Sequence, residues 1–277
     1  MYSILKLMRV KQWVKNIFVF FPLMFSVDLW STGNLIIVFY AYILLCLAAS
    51  ATYVLNDILD VQNDRKHPIK KYRPIAAGKI SVKQGFFVIV ILLFLMAFLI
   101  SQNHLHLFIF LYLLNTTLYS VLAKHYQLWD IFCLSLGFVL RTYFGAYVLN
   151  LELTNWFLLV TLSVSMFLAC AKRLREIQLV GTNARASLKS YSEESIQHML
   201  IVSSSCTVVF YALAAATRGE IMILSTAVVM IGIFRFHFIM TKAKDDSPTD
   251  VLLQDKQMYF IIISWAVLCA VGLVYGN

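Results

Sequence analysis

Charge is scarce in this chain: only 13% of its 277 residues are Asp, Glu, Lys or Arg, while 61% are hydrophobic and 14% aromatic. A soluble globular domain is about 25% charged and about 45–50% apolar, so a surface solvated by water all round is excluded. Proline (4) and glycine (10) are few, and no Gly/Ser/Pro-rich stretch reads as a linker, so one domain over 1–277 is expected. The five cysteines, Cys46, Cys133, Cys170, Cys206 and Cys269, lie far apart in or near apolar runs. They lack zinc or CxxC spacing and read as small buried hydrophobes. The segment after Met1 has basic residues but no cleavable-looking apolar core, so the start reads as mature protein rather than a secretory signal.

What the chain has in quantity is apolar sequence. A spanning helix needs about 20 apolar residues, because backbone groups in lipid must bond internally. The chain divides on that basis into about nine segments, 15–30, 34–55, 84–100, 105–122, 128–150, 155–171, 196–217, 220–240 and 257–275. The fold expected is all-α, a polytopic membrane helix bundle. The first segment is the shortest in apolar content and contains Pro22, which permits a kink.

Lysine and arginine accumulate on the cytoplasmic side of membrane proteins. All but Arg141 and Arg218 of the 23 basic residues fall on one face if all nine segments cross. That places the N-terminus in the cytoplasm and the C-terminus outside. The connections on the opposite face are short, whereas the inside loops at 56–83, 172–195 and 241–256 hold most of the polar side chains. Ser81 with Gln84 reads as a capping pair opening the third helix, with Gly78 easing the turn before it.

The most informative stretch runs from Asn56 through Asp57, Asp60 and Asp64. Separations of three and four put the three aspartates on one face of a continuing helix. Three neighbouring carboxylates at a membrane edge repel one another, and a divalent cation removes that penalty. Mg²⁺ suits carboxylate oxygens combined with ligand phosphates and water. The plain alternative is a set of solvated aspartates paired with Arg65 and Lys66. The basic run that follows, Arg65, Lys66, Lys70, Lys71 and Arg73, favours a diphosphate held by metal and cationic side chains together.

These residues resemble the intramembrane UbiA-type prenyltransferase superfamily, whose first motif N-D-x-x-D-x-x-x-D is matched by Asn56, Asp57, Asp60 and Asp64. The chain looks most like the branch of decaprenyl-phosphate phosphoribosyltransferases. The matching stretches run in order along the chain. They are Lys11-Gln12-Trp13-Val14-Lys15-Asn16, Arg73-Pro74-Ile75-Ala76-Ala77-Gly78, Tyr119-Ser120 with Lys124-His125, and Arg141 with Gly145-Ala146. Ala171-Lys172-Arg173 with Glu176, and Ser247-Pro248-Thr249-Asp250 with Asp255, complete the series. Val10 departs from the proline usual before Lys11. Aromatic prenyltransferases carry a second motif, D-x-x-x-D, after the sixth helix. Here Lys172-Arg173-Leu174-Arg175-Glu176 offers one acid and three bases, which suits a bare phosphate better than a second metal.

The resemblance implies a magnesium-dependent transfer of 5-phosphoribosyl from phosphoribosyl pyrophosphate to a polyprenyl phosphate, with release of pyrophosphate. It implies Asp57, Asp60 and Asp64 as metal ligands and Asn56 as their catalytic companion. Lys15, Asn16, Arg73, Lys79, Tyr119, Lys124, Arg141, Lys172, Arg173, Glu176 and Tyr191 are the expected substrate-binding residues. Arg141 is also readable as an interior partner, Glu176 as an orienter of Arg173, and Asp130 as a structural partner for a basic side chain. The partners expected are the two substrates and membrane lipid, with no nucleic acid and a possible homo-oligomer. The location expected is the inner (plasma) membrane, with the site facing the cytoplasm. An aromatic prenyltransferase using a polyprenyl diphosphate is the rival enzyme reading. A transporter is the non-enzyme rival, though no matched pair of broken helices is visible.

Overall fold

Long apolar runs without internal proline can satisfy their backbone only as helices, and helices are what form. The computed structural model describes residues 2–66, 70–100, 105–180, 191–242, 251–252 and 254–275, and no strand occurs among them. Short helices α1 (Tyr2–Leu7), α2 (Phe21–Met24) and α4 (Val61–Lys66) accompany eight long ones. The long helices are α3 (Thr32–Leu59), α5 (Val82–Ile100), α6 (His106–Val121), α7 (Trp129–Val148), α8 (Asn155–Val180), α9 (Glu193–Ala216), α10 (Glu220–Lys242) and α11 (Lys256–Tyr275). All eight are long and apolar enough to cross a membrane. Their starts follow local chemistry. Ser31, in extended conformation, caps α3 by accepting the Asn34 N–H at 3.2 Å. The Ser81–Gln84 box at α5 has both of its reciprocal bonds, at 2.9 and 3.2 Å.

The first expected segment, 15–30, is not a single α-helix. Val10–Phe20 is a 3-10 helix that continues into α2, and Val27–Leu29 is a further 3-10 turn. A 3-10 helix rises about 2.0 Å per residue against 1.5 Å for an α-helix, so residues 10–24 would extend about 28 Å if straight. That is close to the hydrocarbon thickness of about 30 Å.

A second departure concerns α8, expected to end near 171, which continues to Val180. Leaving the apolar region does not end a helix. The Arg173–Glu176 pair, three residues apart at 2.6 Å, lies on its polar extension.

The chain forms two compact units. One comprises residues 1–24, 30–121 and 140–151; the other comprises residues 25–29, 122–139 and 152–277. In the first unit α3 packs against α5, α6 and the N-terminal 3-10 helix. Leu7, Val54, Ile58, Ile75 and Ile80 form a buried cluster there, beneath the end of α3. In the second unit α8 packs on α9 and α10 on α11, around a core that includes Ile131, Phe167, Tyr191, Ile196 and Phe236. Large apolar side chains such as Phe94, Phe98, Leu224, Phe234 and Phe260 stand exposed, a surface that lipid stabilises and water does not.

Candidate active site

The acidic stripe survives a break in its helix. α3 ends at Leu59, Asp60 occupies its C-cap at φ −93° and ψ 6°, and α4 begins at Val61. Helical hydrogen bonds nevertheless bridge the break, from Asp60 N–H to the Asn56 carbonyl at 2.9 Å and from Asp64 N–H to the Asp60 carbonyl at 2.8 Å. Asp57 and Asp64 therefore remain on a common face, both buried, while Asp60 is half-buried.

A folded loop brings a guanidinium to that face. The Arg73–Gly78 stretch closes through Ala77 N–H to the Arg73 carbonyl (2.8 Å) and Gly78 N–H to the Ile75 carbonyl (3.0 Å), with Gly78 at φ 71°. Ile75 and Ile80 anchor the loop in the cluster beneath α3. Arg73 Nη1 then lies 2.6 Å from Asp64 Oδ2 and 3.2 Å from Asp57 Oδ1. Arg9 supplies a second guanidinium, ion-paired with Asp57 and lying 4.9 Å from the centre of the Tyr53 ring. Its backbone is left-handed, at φ 50°, where the chain turns from α1 into the 3-10 helix. Arg9 was not among the expected site residues. Its sequence signal is only a basic residue near an N-terminus, which membrane topology explains equally well.

No group of three His, Cys, Asp or Glu residues among those described is arranged as a ready-made metal cage. The donor chemistry still fits Mg²⁺. Two hard-oxygen carboxylates already converge on one positive nitrogen, and Mg²⁺ ordinarily completes its shell with water and substrate phosphates.

From Arg9 onward the 3-10 helix runs alongside α3. Trp13 Nε1 donates to Ser50 Oγ at 3.1 Å and Asn16 Nδ2 donates to Cys46 Sγ at 3.2 Å. Asn16 Oδ1 accepts Arg141 Nε at 2.7 Å, and Arg141 Nη2 donates to the Tyr112 hydroxyl at 2.8 Å. Asn16 and Arg141, both expected to bind substrate, thus belong to a buried polar cluster joining the 3-10 helix, α3, α6 and α7. Asn16 meets α3 at Cys46, about 16 Å along the helix axis from Asp57. Asn16 has no exposed surface with which to meet a ligand.

The other expected residues divide by exposure. Lys79 is exposed, and Lys15, Tyr119, Lys124 and Lys172 are half-buried. Arg173, Glu176 and Tyr191 are buried within the second unit in one network with Asp130. Arg173 Nε is 2.7 Å from Asp130 Oδ2 and Arg173 Nη1 is 2.6 Å from Glu176 Oε2. The Tyr191 hydroxyl donates to Asp130 Oδ1 at 3.1 Å. Burial pushes the Tyr191 phenol above its ordinary pKa, so it remains a protonated donor. Arg173 was expected to meet a phosphate. With 0% of its surface exposed it instead holds the polar end of α8 through two carboxylates. Arg175 is buried too and donates to Gln178 Oε1 at 2.8 Å. The basic residues Arg185, Lys189 and Lys244 and the 247–250 motif lie outside the described residues.

Eight apolar spans, with an acid–guanidinium cluster at the end of one of them, define the class: an integral membrane protein with a charged cluster at a helix end. The particular family follows from comparison. The sequence model of the UbiA prenyltransferase family matches residues 19–263, a range that crosses both compact units, and the chain belongs to that family. The decaprenyl-phosphate phosphoribosyltransferase of Corynebacterium glutamicum is 33% identical over 289 aligned residues, covering 99% of this chain and 87% of its own. The protein of that name from Mycobacterium tuberculosis is 29% identical, covering 99% and 95%. Among solved structures, a UbiA homolog from Archaeoglobus fulgidus bound to GPP and Mg²⁺ shares the fold, with a TM-score of 0.72 at 15% identity over 99% of this chain and 98% of its own.

Proposed function

We propose that this protein transfers 5-phosphoribosyl from phosphoribosyl pyrophosphate to a polyprenyl phosphate at the cytoplasmic face of the inner (plasma) membrane. The observation that carries the reading is the convergence of Asp57 and Asp64 on the Arg73 guanidinium, with Arg9 beside them. The names of the full-length relatives support the substrate pair. The concentration of basic residues on one face supports an N-terminus in the cytoplasm.

An oxygen of the lipid phosphate attacks the anomeric carbon of the ribose. The bond from that carbon to the pyrophosphate oxygen breaks, and pyrophosphate leaves with the electron pair. The attacking oxygen is already anionic, so orientation matters more than a strong base. Asp57, Asp60 and Asp64, with Asn56 beside them, would hold magnesium, which would supply counter-charge to the carboxylates and to a leaving pyrophosphate. Arg9 and Arg73, with 23% and 22% of their side chains exposed, have room to turn toward phosphate oxygens, which a guanidinium grips with paired donors. Lys15, Lys79, Tyr119 and Lys124 are the proposed further contacts to donor phosphates. Lys172 and Arg175 are proposed for the acceptor phosphate or the donor 5-phosphate. Arg173, Glu176 and Tyr191 act through the residues they hold.

The acceptor tail gains about 0.8 kcal/mol per CH₂ group buried in lipid, so the reaction must occur where the tail already resides. Membranes containing the protein, incubated with magnesium, labelled phosphoribosyl pyrophosphate and polyprenyl phosphate, are expected to yield labelled lipid. Label transfer that survives exhaustive chelation would reject the metal. Failure with this pair, together with turnover of an aromatic acceptor and a polyprenyl diphosphate, would reject the substrates. Transport into sealed vesicles without a covalent product would reject the enzyme.

A further inference from the structure

Lys124 lies in the 3-10 turn Ala123–His125, four residues before Leu128, the last residue ahead of α7 at Trp129. Leu128 makes the reversal at φ 64°, a left-handed conformation that leucine keeps only where its surroundings hold it. Its side chain is 58% exposed, so side-chain packing is a weak restraint. The restraint is on its backbone, whose carbonyl accepts the Phe132 N–H at 2.8 Å as α7 opens and whose N–H donates to the Tyr191 hydroxyl at 2.5 Å. That hydroxyl donates in turn to Asp130 Oδ1, an oxygen that also accepts the Ile131 N–H at 2.9 Å. Asp130 Oδ2 faces Arg173, and Arg173 faces Glu176. A strained, exposed turn is thereby tied to a fully buried ionic network through one phenolic oxygen.

We propose that Tyr191 is a positioning residue, whose hydroxyl locks the Leu128 turn so that Lys124 meets the donor phosphate in a single orientation. The inference rests on the reaction proposed above for the identity of the ligand, but not for the clamp itself. Packing does not require the hydroxyl, because the ring is already held in the core with Ile131 and Ile196. The one hydroxyl serves both neighbours, accepting from the Leu128 N–H and donating to Asp130.

Tyr191→Phe keeps the ring and removes only the hydroxyl. With magnesium, phosphoribosyl pyrophosphate and polyprenyl phosphate, the donor KM is expected to rise about five- to tenfold, the scale of one lost hydrogen bond to a buried network. The kcat should stay within about twofold and the lipid KM should not move, since the chemistry and the acceptor are untouched. Lys124→Ala should raise the same donor KM, and the double variant should add little to either single change. Effects that multiply in the double variant, or a fall in kcat with an unchanged donor KM, would overturn the proposal. Hydrogen exchange of the full-length protein gives a readout independent of the reaction. The Leu128 amide should exchange at least about tenfold faster in Tyr191→Phe, since its protecting partner is gone. Unchanged exchange would overturn the clamp whatever the substrates are. Faster exchange in a protein that does not use phosphoribosyl pyrophosphate would uphold the clamp and reject only the reaction.

Discussion

Gly145→Ala is expected to be severe, and the reason can be worked out atom by atom. A Cβ at Gly145 would stand 1.9 Å from the Val19 carbonyl oxygen and 2.8 Å from its carbonyl carbon. Non-bonded heavy atoms settle near about 3.5 Å, so the 3-10 helix and α7 would have to separate by more than about 1 Å. No flexible side-chain end can yield, because the obstacle is backbone. The nearest casualty is the 2.7 Å bond from Arg141 to Asn16, which would be stretched past hydrogen-bonding distance. Overpacking costs about 1–3 kcal/mol and a lost bond to a charged group about 1.5–3 kcal/mol, so the sum is about 3–5 kcal/mol. For a protein of this size that corresponds to a fall in Tm on the order of 10 °C. Activity should fall further than stability, because Arg9 opens the same 3-10 helix that would be pushed aside.

Gly85→Ala is the control. Its new Cβ would meet Ile58 Cδ1 and Ile75 Cδ1 at 3.1 Å, both ends of side chains that can rotate. Alanine also recovers about 0.8–1.0 kcal/mol of helix propensity over glycine. Thermal unfolding of both variants, purified in the same detergent and followed by tryptophan fluorescence, makes the comparison. If Gly145→Ala melted within about 2 °C of wild type, or no lower than Gly85→Ala, the inferred backbone contact would be refuted.

Asp60→Asn should abolish label transfer while leaving membrane insertion intact, because Asp60 is half-buried at a helix break and its backbone bonds survive the change; near-native turnover would remove it from the metal set. Arg141→Met should lower the yield of folded protein, since it strands Asn16 and the Tyr112 hydroxyl at about 1–3 kcal/mol each. A monodisperse, fully stable but inactive Arg141→Met protein would return Arg141 to the substrate site. Arg235 holds the Asp255 carboxyl below its usual range, through a 2.6 Å contact. A depressed carboxylate pKa stabilises the fold above the unfolded value of about 3.9 and ceases to do so as pH falls through the folded value. The Tm gap between wild type and Asp255→Asn should therefore be constant near neutrality and close below about pH 4; a gap that persists into acid would refute the pairing.

Much of the membrane architecture is legible because lipid leaves the backbone few choices. Eight of the apolar runs become long helices near their expected positions, and the three-and-four spacing of the aspartates correctly places Asp57 and Asp64 on one face. What escapes the sequence is information held at single dihedrals and in neighbours distant along the chain. Nothing local marks Arg9 or Leu128 as left-handed, and each has a partner far along the chain, Asp57 for the first and Tyr191 for the second. Apolar periodicity also cannot separate a 3-10 from an α-helix over residues 10–20, since both return an apolar side chain every three or four positions.

The same limit explains which expected contacts turned inward. Asn16, Arg141, Arg173 and Tyr191 look from sequence like ligands, because a polar residue in an apolar run usually marks function. In three dimensions each finds a polar partner inside its own unit: Asn16 with Arg141, Arg173 with Asp130, Tyr191 with Asp130. Burial cost selects for mutual satisfaction as readily as for ligand binding, and spacing carries no trace of which has occurred. The cations left with surface to offer include Arg9, Lys15, Arg73, Lys79, Lys124 and Lys172, none of which lies in the middle of an apolar run. A phosphate site at a membrane edge should read this way. Its ligands need reach and water access, while the polar residues that stand out in the apolar runs hold the elements from which those ligands project.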